Sequence, residues 1–232
     1  MKNIFEIFRK YGIDISESMA EQFDKYFNQL VETNKVMNLT AITEEREVLL
    51  KHFLDSALPY DQIKQNASVI DVGAGAGFPS IPLKIVRPDI KLTMIDSLNK
   101  RINFLKDIAE LLSLKDVKIE HSRAEDFAKE NREKFDIATA RAVAELNTLV
   151  EYLLPFVKVG GICLIYKSSK LDEEMASAEK AIKVLGGQIE CIKKYYIDEI
   201  DAERNVLIVK KISKTPIGYP RDKNKPRTNP IK

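Results

Sequence analysis

The chain has no tryptophan, two cysteines and two histidines among 232 residues. Each shortage excludes a class of protein. Cys163 and Cys191 sit in apolar, strand-like stretches without metal-ligand spacing, so they read as small buried hydrophobes and not as a disulfide framework. His52 and His121 make no recognised zinc pattern with them, and no metal is expected. No hydrophobic run approaches the length of a membrane span, and Met1-Lys2-Asn3-Ile4-Phe5-Glu6 lacks the apolar stretch of a signal peptide. A reducing cytoplasm is the expected setting, with no membrane partner. Glycine and proline are also scarce, at nine each, which makes their clustering informative. Three glycines fall between Gly73 and Gly77, and four prolines lie between Pro216 and Pro230.

What is present describes an ordinary globular chain. Hydrophobic residues make up 44% and charged residues 31%, enough for one large α/β domain or one domain with a helical appendage. The net charge of +2 conceals an asymmetry. From Lys210 to Lys232 there are eight basic residues and one acid, a balance of +7, which leaves −5 for the rest. The tail is thus the basic element, and its prolines predict an irregular, mobile arm suited to a polyanion or simply to solvent. Its removal is expected to leave cofactor binding intact.

Residues 3–58 read as helical. Phe23, Phe27, Leu30 and Val31 recur at helical spacing after a start at Ser16-Glu17. A second helix is predicted from Thr43 or Glu44 to Leu58, ended by Pro59 and carrying Val48, Leu49, His52, Phe53 and Ala57 near one face. From Ser68 the pattern becomes strand–helix alternation. Strands are predicted at Val69–Val72, Lys91–Asp96, Val117–Glu120, Phe135–Ala140 and Gly161–Tyr166. Helices lie at Phe78–Val86, Arg101–Leu112, Glu145–Pro155 and Leu171–Leu185. Two adjacent strands, Ile189–Ile197 and Asn205–Ile212, close the series as a hairpin. The pattern predicts a Rossmann-like α/β sheet, mostly parallel with a terminal antiparallel hairpin, plus an N-terminal helical extension. The divisions expected are residues 1–60, a core at 61–212 and a basic tail at 213–232.

In such a sheet the ligand lies beyond the carboxyl ends of the strands. Asp71-Val72-Gly73-Ala74-Gly75-Ala76-Gly77 is placed there. A dinucleotide fingerprint needs a small residue where Phe78 stands. The acidic-x-Gly-x-Gly-x-Gly spacing instead resembles the first motif of class I methyltransferases, which take S-adenosylmethionine. Asp96, ending the second strand, is positioned to accept ribose hydroxyls, although it would equally cap the next helix. Ala124 and Glu125 follow the third strand at the level of an adenine ring, and Ala140-Arg141 ends the fourth. There is no Asn/Asp-Pro-Pro-Tyr stretch after that strand, as exocyclic-amine methylation commonly uses, and no cysteine in a loop for pyrimidine C5 chemistry. An atom already nucleophilic, such as guanine N7, is favoured.

The strings Asn38-Leu39-Thr40-Ala41-Ile42, His52-Phe53-Leu54-Asp55-Ser56 and Gly73 to Leu83 (with Phe78-Pro79-Ser80-Ile81-Pro82) resemble the glucose-inhibited division protein B family. Ser122-Arg123-Ala124-Glu125, Thr139-Ala140-Arg141-Ala142 and Thr215 to Arg221 extend that resemblance over nearly the whole chain. It implies a methyltransferase acting on guanine N7 in the 530 loop of bacterial 16S ribosomal RNA, as free RNA or as the 30S particle; nothing in the sequence demands more than a monomer. Gly73, Gly75, Phe78, Asp96, Ala124, Glu125 and Arg141 are the expected cofactor residues. Arg141 is the expected catalytic residue by position, without a general base, and Arg123 and Lys167 are expected to face RNA. Arg123 could instead form a surface ion pair with Glu125 or Asp126, and His52 reads as a core or capping residue. The rival readings are a dinucleotide-dependent oxidoreductase and a non-enzymatic RNA-binding assembly factor.

Overall fold

The computed structural model describes residues 1–141, 144–167 and 171–232. The N-terminal region is helical, as expected. Helix α1 (Ile4–Lys10) precedes α2 (Glu17–Met37), whose start is capped by the Ser16 hydroxyl accepting from the Met19 amide at 3.2 Å. The inner face of α2 is Ala20, Phe23, Tyr26 and Leu30, so Tyr26 replaces Val31 and Phe27 only flanks it. Phe8, Phe23, Phe53, Tyr26 and Phe78 stack in sequence with ring centroids 5.0–5.5 Å apart, fastening the extension to the glycine-rich segment.

The second predicted helix is not one regular element. It comprises α3 (Glu45–Val48), a π-helical stretch Leu49–Leu54, α4 (Asp55–Ala57) and a 3₁₀ turn Leu58–Gln62 that continues past Pro59. The wider π turn lies where Lys51 and His52 meet a cavity, a common place for such a departure.

The described residues form a seven-stranded sheet in the order β3-β2-β1-β4-β5-β7-β6. Strand β1 (Ser68–Val72) pairs in parallel with β2 (Lys91–Asp96) and β4 (Phe135–Arg141). Strand β3 (Val117–His121) flanks β2, and β5 (Val157–Lys167) flanks β4, again in parallel. Strand β7 (Ala202–Lys211) runs antiparallel between β5 and β6 (Gly187–Ile197), which gives the closing hairpin. Alternate strand residues enter two cores. Val69, Met94, Ile137, Leu164 and Ile208 join the N-terminal helices with α5 (Ser80–Val86) and α6 (Asn99–Leu111). On the other face Ile70, Ile95, Ala138, Ile165 and Leu207 meet α7 (Ala124–Asn131), α8 (Leu146–Leu153) and α9 (Leu171–Val184). Helix α7 is additional to the elements the sequence predicts. Its start, Arg123-Ala124-Glu125, carries the predicted site residues.

The tail departs most from expectation. In place of a detached arm, it is docked and contains a short helix, α10 (Lys225–Thr228). Lys211, fully buried, donates to the Leu154 carbonyl at 2.7 Å and to Thr215. Arg132 donates to the carbonyls of Thr215, Pro216 and Tyr219. Arg221 grips the buried Glu151 through its amide, Nε and Nη2, at 2.7–2.9 Å. Prolines excluded regular strand or long helix, but buried partners elsewhere in the sequence supply the order.

Candidate active site

The glycine-rich segment links β1 to α5. Gly73, Gly75 and Gly77 all have positive φ (76°, 60° and 94°), a conformation that favours glycine. At Gly77 a side chain is also excluded by space, since a Cβ would lie 2.7 Å from the Tyr26 hydroxyl and closer still to Ile81. Tyr26 donates its hydroxyl to the Ala76 carbonyl, so a helix of the extension pins the loop directly. The loop amides are largely engaged within the protein. Gly73 and Ala74 donate to the Ile95 carbonyl at 2.9 and 3.1 Å, Gly75 to Asp96 at 3.0 Å, and Gly77 to Ala74 at 2.8 Å.

Two cavities adjoin at the carboxyl ends of the strands. The smaller, about 310 Å³, is lined by Val72, Gly73, Asp96, Ser97, Ser122 to Glu125, Tyr152, Asn224 and Arg227 among others. The larger, about 700 Å³, takes in Thr40, Lys51, His52, Asp55, Gly73 to Ala76, Phe78, Arg101, Arg141 and Arg204. Gly73, Asp96, Ser97 and Arg227 belong to both. Asp96 is 3% exposed. Its Oδ1 accepts from the Leu98 amide at 2.9 Å just before α6, and it also faces both cavities.

The larger cavity is organised around Arg141. Its guanidinium donates to Asp55 at 2.8 Å and to the Ser56 hydroxyl at 3.2 Å, and it meets His52 Nδ1 at 3.3 Å. It lies 5.0 Å from the centre of the Phe78 ring, against which His52 also stacks at 4.5 Å. Asp55 is shared, with Arg204 from β7 reaching its other oxygen at 3.2 Å. Burial raises the Asp55 carboxyl above the ordinary range, and the two arginines oppose that shift. His52 bonds the Thr40 hydroxyl at 2.8 Å, and burial together with the Arg141 charge lowers its pKa to about 4. Asp71 on β1 is fully buried, and burial raises its carboxyl to about 7. Ser80 sits beside it and opposes the shift, yet neither side chain completes a hydrogen bond.

The structure thus gathers Gly73, Gly75, Phe78, Asp96, Ala124, Glu125 and Arg141 around the paired cavities. Arg123, predicted to face RNA, lines the smaller cavity instead, while Asp126 pairs with Lys129 at 2.8 Å. Lys167 lines neither. It bonds Glu174 at 2.5 Å and the Ala144 carbonyl at 2.9 Å, which secures the chain after β4. Ala142 falls outside the described residues. Sequence reasoning assigned no role to Thr40, Lys51, Asp55, Arg101, Tyr152, Arg204, Asn224 or Arg227. Asp55 lies inside a string quoted for its resemblance, and that was its only signal. Among the described residues no cluster of three or more histidine, cysteine, aspartate or glutamate side chains could hold a metal ion. Among the described residues no helix is long and apolar enough to cross a membrane.

Comparison with known proteins agrees with this geometry. Two solved structures share the fold at low identity. A SAM-dependent methyltransferase from Aquifex aeolicus has a TM-score of 0.51 and 18% identity, covering 72% of this chain and 93% of that one. A ribosomal protein L11 methylase from Lactobacillus delbrueckii subsp. bulgaricus has a TM-score of 0.54 and 17% identity, covering 70% and 79%. Among sequences, a ribosomal RNA small subunit methyltransferase G from Brevibacillus brevis is 49% identical over 97% of both chains. Its counterpart from Bacillus cytotoxicus is 50% identical over 95% of this chain and 94% of its own. The family profile described as rRNA small subunit methyltransferase G matches residues 19–207. Fold, paired cavities and full-length similarity converge, and the chain belongs to the rRNA small subunit methyltransferase G family.

Proposed function

We propose that this protein transfers a methyl group from S-adenosylmethionine to N7 of a guanine in the 530-loop region of 16S ribosomal RNA. One observation carries the reading: a cofactor-sized cavity shares Gly73 and Asp96 with an adjoining larger cavity lined by Lys51, Arg101, Arg141 and Arg204.

The residues of the smaller cavity fit adenosine. Buried carboxylates at Asp96 and Glu125 suit ribose hydroxyls and an exocyclic amine, and would repel a phosphate. The loop amides that a pyrophosphate would need already have partners, which disfavours a dinucleotide. Gly73, Gly75, Asp96, Ala124 and Glu125 would hold the cofactor, with Phe78 and Arg141 at its reactive end. When bound, the cofactor supplies an electrophilic methyl on a sulfonium.

Guanine N7 has an accessible lone pair and no proton, so neither a base nor a metal is required, and alignment supplies most of the rate. Arg141 contributes by being fixed. Asp55, Ser56 and His52 hold its guanidinium 5.0 Å from the centre of the Phe78 ring, fixing that part of the cavity wall. Asp55 offsets one of the two positive charges of Arg141 and Arg204, which matters because methylation leaves a cationic base. Neutral His52 adds no further charge. Lys51, Arg101 and Arg204 at the rim suit the phosphates flanking the target, as free RNA or in a 30S particle. The protein acts in this reading as a cytoplasmic monomer. The test is mass mapping of 16S RNA after incubation of unmodified RNA and unmodified 30S particles with protein and S-adenosylmethionine. A single N7-methylguanine in the 530 loop is expected. Methylation of an exocyclic amine, or of neither substrate, overturns the assignment.

A further inference from the structure

The docked tail does more than cover the sheet. Glu151, fully buried on α8, anchors Arg221 by three hydrogen bonds, and the Thr148 hydroxyl donates to the Pro226 carbonyl at 2.9 Å. Between these anchors the backbone turns through two successive left-handed residues, Lys223 (φ 57°) and Asn224 (φ 59°). That turn sets Asn224 on the wall of the smaller cavity and Arg227 on the wall common to both. Two non-glycine residues held in this conformation require the anchors on either side.

We propose that residues 215–231 form a strap completing the cofactor site, with Asn224 and Arg227 contacting the adenosine portion of S-adenosylmethionine. This rests on the reading of the smaller cavity as the adenosine site. The chemistry matches the neutral half of the cofactor. Guanidinium and amide N–H groups suit ribose hydroxyl oxygens and adenine ring nitrogens, which are hydrogen-bond acceptors without charge. Lys223 and Lys225, exposed on the same turn, line neither cavity and provide an internal control for a general effect of tail charge.

Calorimetric titration with S-adenosylhomocysteine, which involves no RNA and no turnover, tests the strap. Replacing a hydrogen bond from a charged donor at a partly open site predicts that Arg227→Ala raises the Kd about five- to tenfold. Asn224→Ala, which removes a neutral donor, raises it about two- to fivefold, and the pair Lys223→Gln with Lys225→Gln leaves it within about twofold. Tryptic cleavage after Lys223 in the wild type slows when S-adenosylhomocysteine is present, a readout independent of substitution. An unchanged Kd in the Asn224→Ala/Arg227→Ala double variant, with cleavage equally fast with and without ligand, overturns the strap. An equal rise in the lysine pair also overturns it, in favour of diffuse charge. If wild-type protein fails to bind S-adenosylhomocysteine at all, the cavity assignment falls, and the strap with it.

Discussion

The two adjoining cavities are built by different means. The smaller is made mainly by sheet edges and the turns that follow them, with backbone amides, Asp96 and the start of α7 all within a single βαβαβα run. The larger combines the glycine-rich loop Gly73–Ala76 with side chains from the N-terminal helices, β4 and the closing hairpin, which meet over sequence separations of 86 residues for Asp55–Arg141 and more for Asp55–Arg204. A cavity formed by a loop tolerates side-chain change outside a few positions. In one formed by interlocked side chains, removing a member disturbs its partners as well.

The largest effect should come from the side-chain cavity. Arg141→Ala is expected to lower single-turnover methyl transfer about 100-fold or more, since a misplaced reactant alone costs on that order. Asp55→Asn, which frees both arginines while preserving volume, should approach the same loss. Full activity in either variant would mean that Arg141 is only a structural cation. Next comes the cofactor cavity. Asp96→Ala should weaken S-adenosylhomocysteine binding about 10- to 100-fold by calorimetry, the range for a charge-assisted hydrogen bond. Because Asp96 also receives the Gly75 and Leu98 amides, thermal unfolding without ligand should be followed to separate loop disorder from lost contact.

Smaller is the contribution of Asp71, whose carboxyl burial lifts to about 7. A carboxyl raised in the fold ionises first in the unfolded chain, so stability falls as pH rises from about 4 to 7. Asp71→Asn should remove that fall, and its advantage over wild type should grow by on the order of 1–3 kcal/mol between pH 4 and pH 8 in denaturant titrations. A constant offset across pH would show that Asp71 is hydrogen-bonded to buried water and ionised throughout. The smallest effect concerns His52, held near 4 and therefore neutral at working pH. Methyl transfer should be flat from about pH 6 to 9, and His52→Ala should reduce it only a few-fold, by loosening Arg141 and Phe78. A log-linear rise abolished in His52→Ala would reinstate a general base. An inflection near 7 lost in Asp71→Asn would assign the titration to Asp71 instead.

The same contrast explains what was legible in the sequence. Glycines at fixed spacing and a carboxylate ending the second strand are local signals, because each sits in contiguous chain that lines the cavities. The sheet, its hairpin and the start of α2 at Ser16 were likewise readable from local pattern. Asp55 and Arg204 were not, since nothing local marks two residues that become partners only when the extension and the hairpin meet over Arg141. The tail failed for a related reason. Its prolines and charge describe a free arm, while the features that dock it, the buried acceptor Glu151 and the donor Arg132, lie 70 and more residues away.

The hydroxyl of Tyr26 ties the extension to the glycine-rich turn, and the same apolar cluster runs without a break from Ile4 to Ile208. The helices before residue 61 are therefore part of one cooperative folding unit, and a chain starting at residue 61 is no minimal catalyst. Without Tyr26 and Phe53, the Ala76 carbonyl loses its donor and Phe78 loses two ring neighbours. Amide hydrogen exchange would register this as a single opening event: protection in α2 and in β1 should collapse together with added denaturant, at one slope and one midpoint.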